Sequence, residues 1–356
     1  MRTLRTSTAA VLAMVTVLVS GCNGTTGGIA ATSSGPPAVN AIDAALALVP
    51  ASSGSAEVMD LAAAKQRWGL TGVTSETEDS AEADEFLRKL GTSGSGSRLL
   101  QYTRQLQGAG WSGLDVDQQI DLTADGMPVS LYRLRSSLDM QKVIDSLSAD
   151  GMTRSGSADA PFFQPASLGR GKFGGVFLYG VTVYPAQHLI VGGREAVWTP
   201  PTAGGSLGAV EGVPALLAGL PAADWVAVDT GAAACTDPLA GLILRATPEI
   251  ARRYLATLDA AGERQRVTGV VVALTADDTA QIRTGYADEA TAAADLPVRT
   301  KILQTGSSAK DNRPYTDVYT AQIAADEATL HYDIHAERAA TLIQRRFERD
   351  TPWAFC

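Results

Sequence analysis

Leu114-Asp115-Val116-Asp117-Gln118-Gln119-Ile120-Asp121-Leu122-Thr123-Ala124-Asp125 is the stretch that decides the fold. Leu114, Val116, Ile120 and Leu122 alternate with Asp115, Asp117, Gln119 and Asp121, the period of a half-buried strand with one wet face. Its closing Leu122-Thr123-Ala124-Asp125 returns as Leu274-Thr275-Ala276-Asp277, at the end of the apolar run that begins at Val267. Each copy leads into a second strand, Val129 to Leu134 and Ala280 to Tyr286, which makes both tetrapeptides hairpin turns. A helix follows in each case. Met140, Val143, Ile144 and Leu147 mark its buried face in the first copy, and Asp288 to Ala294 is the Ala-rich counterpart in the second.

Working outward, a second correspondence precedes the first. Ala45-Leu46-Ala47-Leu48-Val49-Pro50-Ala51 and Val58-Met59-Asp60 are echoed by Leu216-Leu217-Ala218-Gly219-Leu220-Pro221-Ala222 and Val226-Ala227-Val228-Asp229. Both read as a helix stopped at proline and then a strand, with Asn40 capping the first helix and Pro214 in the first turn of the second. Downstream, each half repeats the strand-strand scheme. Val176 to Tyr184 and His188 to Val191 turn at Pro185, while Val318 to Ala324 and Thr329 to His335 turn at Ala325-Asp326-Glu327. Ala339, Ile343 and Phe347 close the second half as a helical stripe. The expected class is α+β: two similar halves of antiparallel strand-strand-helix units, with the helices packed on one sheet face. An inserted helical stretch is capped by Ser80 and Ser97 and joined by the loop Gly91 to Gly96. Ser155 to Gly175 reads as an exposed loop.

The chain opens with Arg2 and Arg5, an apolar segment from Ala9 to Val19, and Val19-Ser20-Gly21-Cys22. This layout resembles a bacterial lipoprotein signal with its lipobox. The resemblance covers only these residues; it implies cleavage before Cys22 and lipidation of that cysteine. The apolar segment is shorter than the ~20 residues a membrane-crossing helix needs. Six lysines against 23 arginines, in an Ala- and Gly-rich chain, make the style similar to actinobacterial lipoproteins. The implied organisation is a signal peptide at 1–21, a lipidated flexible tether at 22–40, and α+β halves at 41–204 and 205–356. It places the protein at the cell membrane, on the extracytoplasmic face.

Cys235 and Cys356 would then share an oxidising compartment, and the pair reads as a disulfide. It would tie the last residue to mid-chain, helped by the apolar Trp353 and Phe355. Formal charge is −9, and becomes −11 once Arg2 and Arg5 leave with the signal. So acidic a chain is not built to bind nucleic acid.

No catalytic or metal-ligating set emerges, and no cofactor is expected. His331 and His335 lie four apart, but Leu330, Tyr332 and Ile334 alternate with them at strand spacing, ~13 Å for such a pair. Ser307-Ser308-Ala309-Lys310 carries a Ser-x-x-Lys spacing inside a polar loop rather than at a helix start. Gly169-Arg170-Gly171-Lys172 lacks the spacing of a phosphate-binding loop. The function expected is an envelope lipoprotein, non-catalytic, holding a protein partner or a small or lipid ligand in a groove between halves. The alternative is an extracytoplasmic hydrolase using Ser307, Lys310 or the His331 strand.

Overall fold

Among the described residues, twelve strands join in one antiparallel sheet. They are β1 (Ser55–Asp60), β2 (Val116–Ala124), β3 (Met127–Leu134), β4 (Thr153–Gly156), β5 (Pro161–Gln164), β6 (Val181–Tyr184), β7 (Leu189–Gly192), β8 (Ala223–Thr230), β9 (Gly269–Thr275), β10 (Thr279–Gly285), β11 (Tyr319–Asp326) and β12 (Thr329–Ala336). The spatial order is β11-β12-β10-β9-β8-β1-β2-β3-β7-β6-β5-β4. The structure, a computed structural model, describes residues 38–93, 97, 99–167, 169–195, 197–202, 204–240, 247–275, 279–308, 310–336 and 339–356. Val19, Ser20, Gly21 and Cys22, the tether through residue 37, Gly94 to Gly96, Ala276-Asp277 and Ala309 lie outside them.

The two sequence-defined stretches meet at mid-sheet, where β1 pairs with β8, Val58 opposite Val226 and Ser55 opposite Asp229. Alternate residues of these strands face opposite sides. Val58, Ile120, Val226 and Val228 pack with Ile42, Leu46 and Leu216 of the helices Ala38–Leu46 and Val213–Leu217. Trp225, Ala227 and Met59 face the other side and join a second cluster, with Val272, Ile282, Ile302, Leu342 and Trp353. A third cluster is centred on Trp111, Val116, Tyr132, Phe163 and Ile190. Helices thus cover both faces of the sheet, where packing on one face was expected. The reason lies in β8 itself, which is apolar on both sides and must be covered twice.

Several local readings are displaced. A bulge between Val116 and Gln118 shifts the phase of β2. Asp115 lies ahead of β2, in the turn Gly113–Asp115, and is fully buried rather than wet, pinned by Arg135 (Nε to Oδ1, 2.7 Å) and accepting the Ser112 amide (2.9 Å). Gln119 is buried as well. Asn40 sits inside its helix, not at the cap. Val176 and Phe177 precede β6 rather than belonging to it. Residues 155–175 take in the end of β4 and all of β5, with Phe162 and Phe163 buried, where an exposed loop was expected. The helix Glu289–Thr305 is longer than its Ala-rich start suggested; Ala292, Asp295, Val298, Arg299, Ile302 and Leu303 form its buried side. In the helix Ala339–Phe347, Leu342 is buried and Phe347 is 88% exposed, so Phe347 leaves the expected stripe.

Candidate cleft at the centre of the sheet

Between the apolar clusters around Ile282 and around Tyr132, on the face that carries both, the sheet presents polar side chains. Ser55 and Glu57 come from β1, Thr123 from β2 and Asp229 from β8; with Val270 and Val272 of β9 they floor a cleft of about 530 Å³. One wall is the segment 232–237. The other is the chain from Arg346 to Ala354, with exposed Phe347 at the rim.

The walls are held by the C-terminal tail. Trp353 and Phe355 are buried as anticipated, and Thr236 bridges to Phe355: its amide donates to Ala354 O (2.8 Å) and its carbonyl accepts from the Cys356 amide (3.1 Å). Cys235 and Cys356 lie at disulfide distance, with sulfurs 2.06 Å and Cα atoms 5.6 Å apart. Beneath the tail, Arg345 donates to Asp350 (2.9 Å) and Asp311 (2.8 Å), and Tyr315 donates to Asp350 (2.8 Å).

Arg346 is the central group of the floor. Its Nη2 donates to Asp229 Oδ1 (2.7 Å), its Nε to Asp229 Oδ2 (3.2 Å), and its Nη1 to Glu57. Ser55 Oγ also donates to Asp229 (2.5 Å). Burial works against the guanidinium charge, but Asp229 and Glu57 outweigh it and hold the Arg346 pKa above its usual value. A single cation from the last helix therefore fastens together the two central strands. The carboxylate that Ser55 donates to also accepts two bonds from Arg346, which makes it a weaker base.

The candidates singled out in the sequence do not meet in this cleft. Lys310 pairs with Glu348, and Ser308 rather than Ser307 is engaged, by Arg345. His331 lies on β12 within 2.8 Å of Thr329 Oγ1; burial and then the facing Arg283 lower its pKa. His335 and Asp333 are exposed, and His188 occupies a turn at φ 48°. Gly169 to Lys172 leads into a short turn whose Lys172 and Phe173 amides are taken by Asp150 (2.8 and 2.9 Å). A Cβ on Gly171 would fall 2.3 Å from that carboxylate, at a φ of 78° that also favours glycine. Among the described residues, no group of three or more His, Cys, Asp or Glu is placed to hold a metal ion.

Glu57, Asp229 and Arg346 were missed in the sequence. The available signal was an acid ending an apolar strand, Val226-Ala227-Val228-Asp229, and an arginine three residues after Ile343. Neither shows that 289 residues of separation are bridged between Glu57 and Arg346.

Fold and cleft define an α+β protein built on one antiparallel sheet with a charged seam at its midpoint. Neither a protein-family model nor a curated protein sequence matches the chain. Among solved structures, crystal form I of TP0453 is similar at 8% identity and a TM-score of 0.37, over 86% of this chain and 98% of that one. So remote a likeness carries no functional argument. No helix among the described residues is long and apolar enough to cross a membrane.

Proposed function

We propose that this is a lipid-anchored envelope lipoprotein that holds a protein partner or a small or lipid ligand in the central cleft, without catalysis, outside the membrane. The carrying observation is the cleft itself: an open, mixed polar and apolar hollow with an 88% exposed phenylalanine at its rim. Exposed aromatics beside a concave surface act as binding anchors. The hydrolase alternative draws less support, since Ser307 and Lys310 do not converge and Ser55 lacks a free base.

We read the body as two duplicated halves, 41–204 and 205–356, hinged on β1 and β8. The order outward from the midpoint supports this: β1-β2-β3-β7-β6 on one side, β8-β9-β10-β12-β11 on the other. Register supports it too. Asp60 faces Gln118, four residues before Leu122, and Asp229 faces Val270, four residues before Leu274. The bond between Cys235 and Cys356 belongs to the same reading, as the clasp of an exported protein.

Two measurements test the proposal. Cys22→Ala should abolish acylation and membrane attachment; unchanged attachment would remove the anchor from the account. A photo-crosslinking residue at Phe347, in the full chain in its own envelope, should give a discrete adduct that the same residue at exposed Lys142 does not. Indistinguishable patterns at the two positions would rule out the cleft.

A further inference from the structure

We infer that the outer edge of β11 is the surface through which two copies of this chain pair, antiparallel and edge to edge. β11 is the terminal strand of the sheet, paired with β12 on one side and with no strand on the other among the described residues. Thr320, Gln322, Ala324, Ala325 and Asp326 are exposed.

Sheet edges in monomers are blunted by short strands, lysine, proline or bulges, because an open ladder recruits another chain. The opposite edge follows that rule: β4 has four residues, carries Arg154, and ends at Gly156 with φ 79°. β11 breaks it. The strand has eight residues, Tyr-Thr-Ala-Gln-Ile-Ala-Ala-Asp, with no lysine, arginine, proline or glycine, and its register against β12 is unbroken from Tyr319 to Asp326. At the matching place across the sheet, the outer edge of β6 is closed by the chain's own β5, Phe162 opposite Thr182 and Phe163 opposite Val181. One flank is finished internally and the other is left open.

The composition of β11 selects a second copy as its occupant. Its only charge, Asp326, is the last residue, so antiparallel self-pairing sends the two acids to opposite ends of the ladder. Pairing about Ile323 sets Ile323 opposite its own copy and Ala321 opposite Ala325, so that like faces of the two sheets stay together. Ala321 and Ile323 already rest against the core of the second half, and pairing would run the two cores together. Joining β11 to β4 of another copy would instead be head-to-tail, using a four-residue strand with Arg154, and would leave ends free for open growth. Pairing through two β11 strands closes on itself. A strand pair of this size covers less than the ~800 Å² per partner of standard interfaces, so it belongs to weak association.

The test uses the full chain in its envelope, with a photo-crosslinking residue at exposed Gln322. The expected product is a homodimer whose crosslinked peptide contains Tyr319–Asp326 of a second copy. Ala324→Lys should reduce its yield about tenfold by placing like charges in the new ladder, while the thermal unfolding profile stays unchanged because Ala324 is exposed. An adduct to a different protein would overturn the inference, as would one to residues 22–37 of the same chain. Absence of any adduct from the incorporated residue, or a dimer yield that Ala324→Lys leaves unaltered, would overturn it equally.

Discussion

Replacing Arg346 by methionine is the most informative perturbation of the cleft. Methionine keeps most of the aliphatic stem and removes the three nitrogens that contact Glu57 and Asp229. Two carboxylates from neighbouring strands then lose the cation they share. Stranding one partner of a fully buried pair costs about 3–5 kcal/mol, whereas exposed pairs are worth about 0–1 kcal/mol. Here the side chains are 14% exposed for Arg346, 16% for Asp229 and 34% for Glu57, so the site lies between those limits. The expected loss is about 2–3 kcal/mol. Urea unfolding followed by tryptophan fluorescence would read it, with Trp225 on β8 as a nearby reporter. Glu57→Gln removes one of the two stranded charges, so in the Glu57→Gln background Arg346→Met should cost about 1–2 kcal/mol less. A loss below about 1 kcal/mol, or the same cost in both backgrounds, would refute the claim that Arg346 fastens the central strands.

The remaining predictions concern the clasp, the buried pair and the carboxyl cluster. Cys235→Ser should lower stability by about 4–5 kcal/mol in the chain-entropy model, given a sequence separation of 121, and the wild-type mass should fall two hydrogens below the dithiol. Arg299→Met should cost about 3–5 kcal/mol, because Arg299 and Asp295 are both fully buried and paired at 2.7 Å; adding Asp295→Asn should recover part of that in the same melt. Burial pushes the Asp60, Asp117 and Asp224 carboxyls above the usual aspartate value. The folded state therefore holds their protons more tightly than the unfolded state. The stability they contribute is full below pH about 3.9 and is lost as pH rises through their folded pKa values. Asp117→Asn should accordingly flatten that part of the pH–stability curve, and an unchanged slope would contradict it.

Much of the fold was legible in residue periodicity. β2, β12 and the helix Met140–Ala149 follow from alternation or a 3.6-residue stripe, β9 from an apolar run, and β3, β10 and β11 from the turns beside them, signals local enough to survive without tertiary information. The hairpin β4–β5 was not, because four-residue strands rich in glycine and proline nearby give no period to detect. Asp115 and Gln119 show the limit from the other side: both read as the wet face of one alternating strand, yet Asp115 lies in the turn ahead of β2, Gln119 follows a bulge, and both are buried.

Taken alone, the chain determined that antiparallel hairpins recur in an earlier and a later series, and that Cys235 and Cys356 form an even pair once Cys22 is set aside. Only tertiary structure decided that β1 and β8 would join these series in one sheet, that helices would cover both faces, and that Glu57, Asp229 and Arg346 would meet. The physical reason is range. Side-chain periodicity is written within a few residues, whereas an ion pair across 289 positions exists only after the strands between have chosen their neighbours.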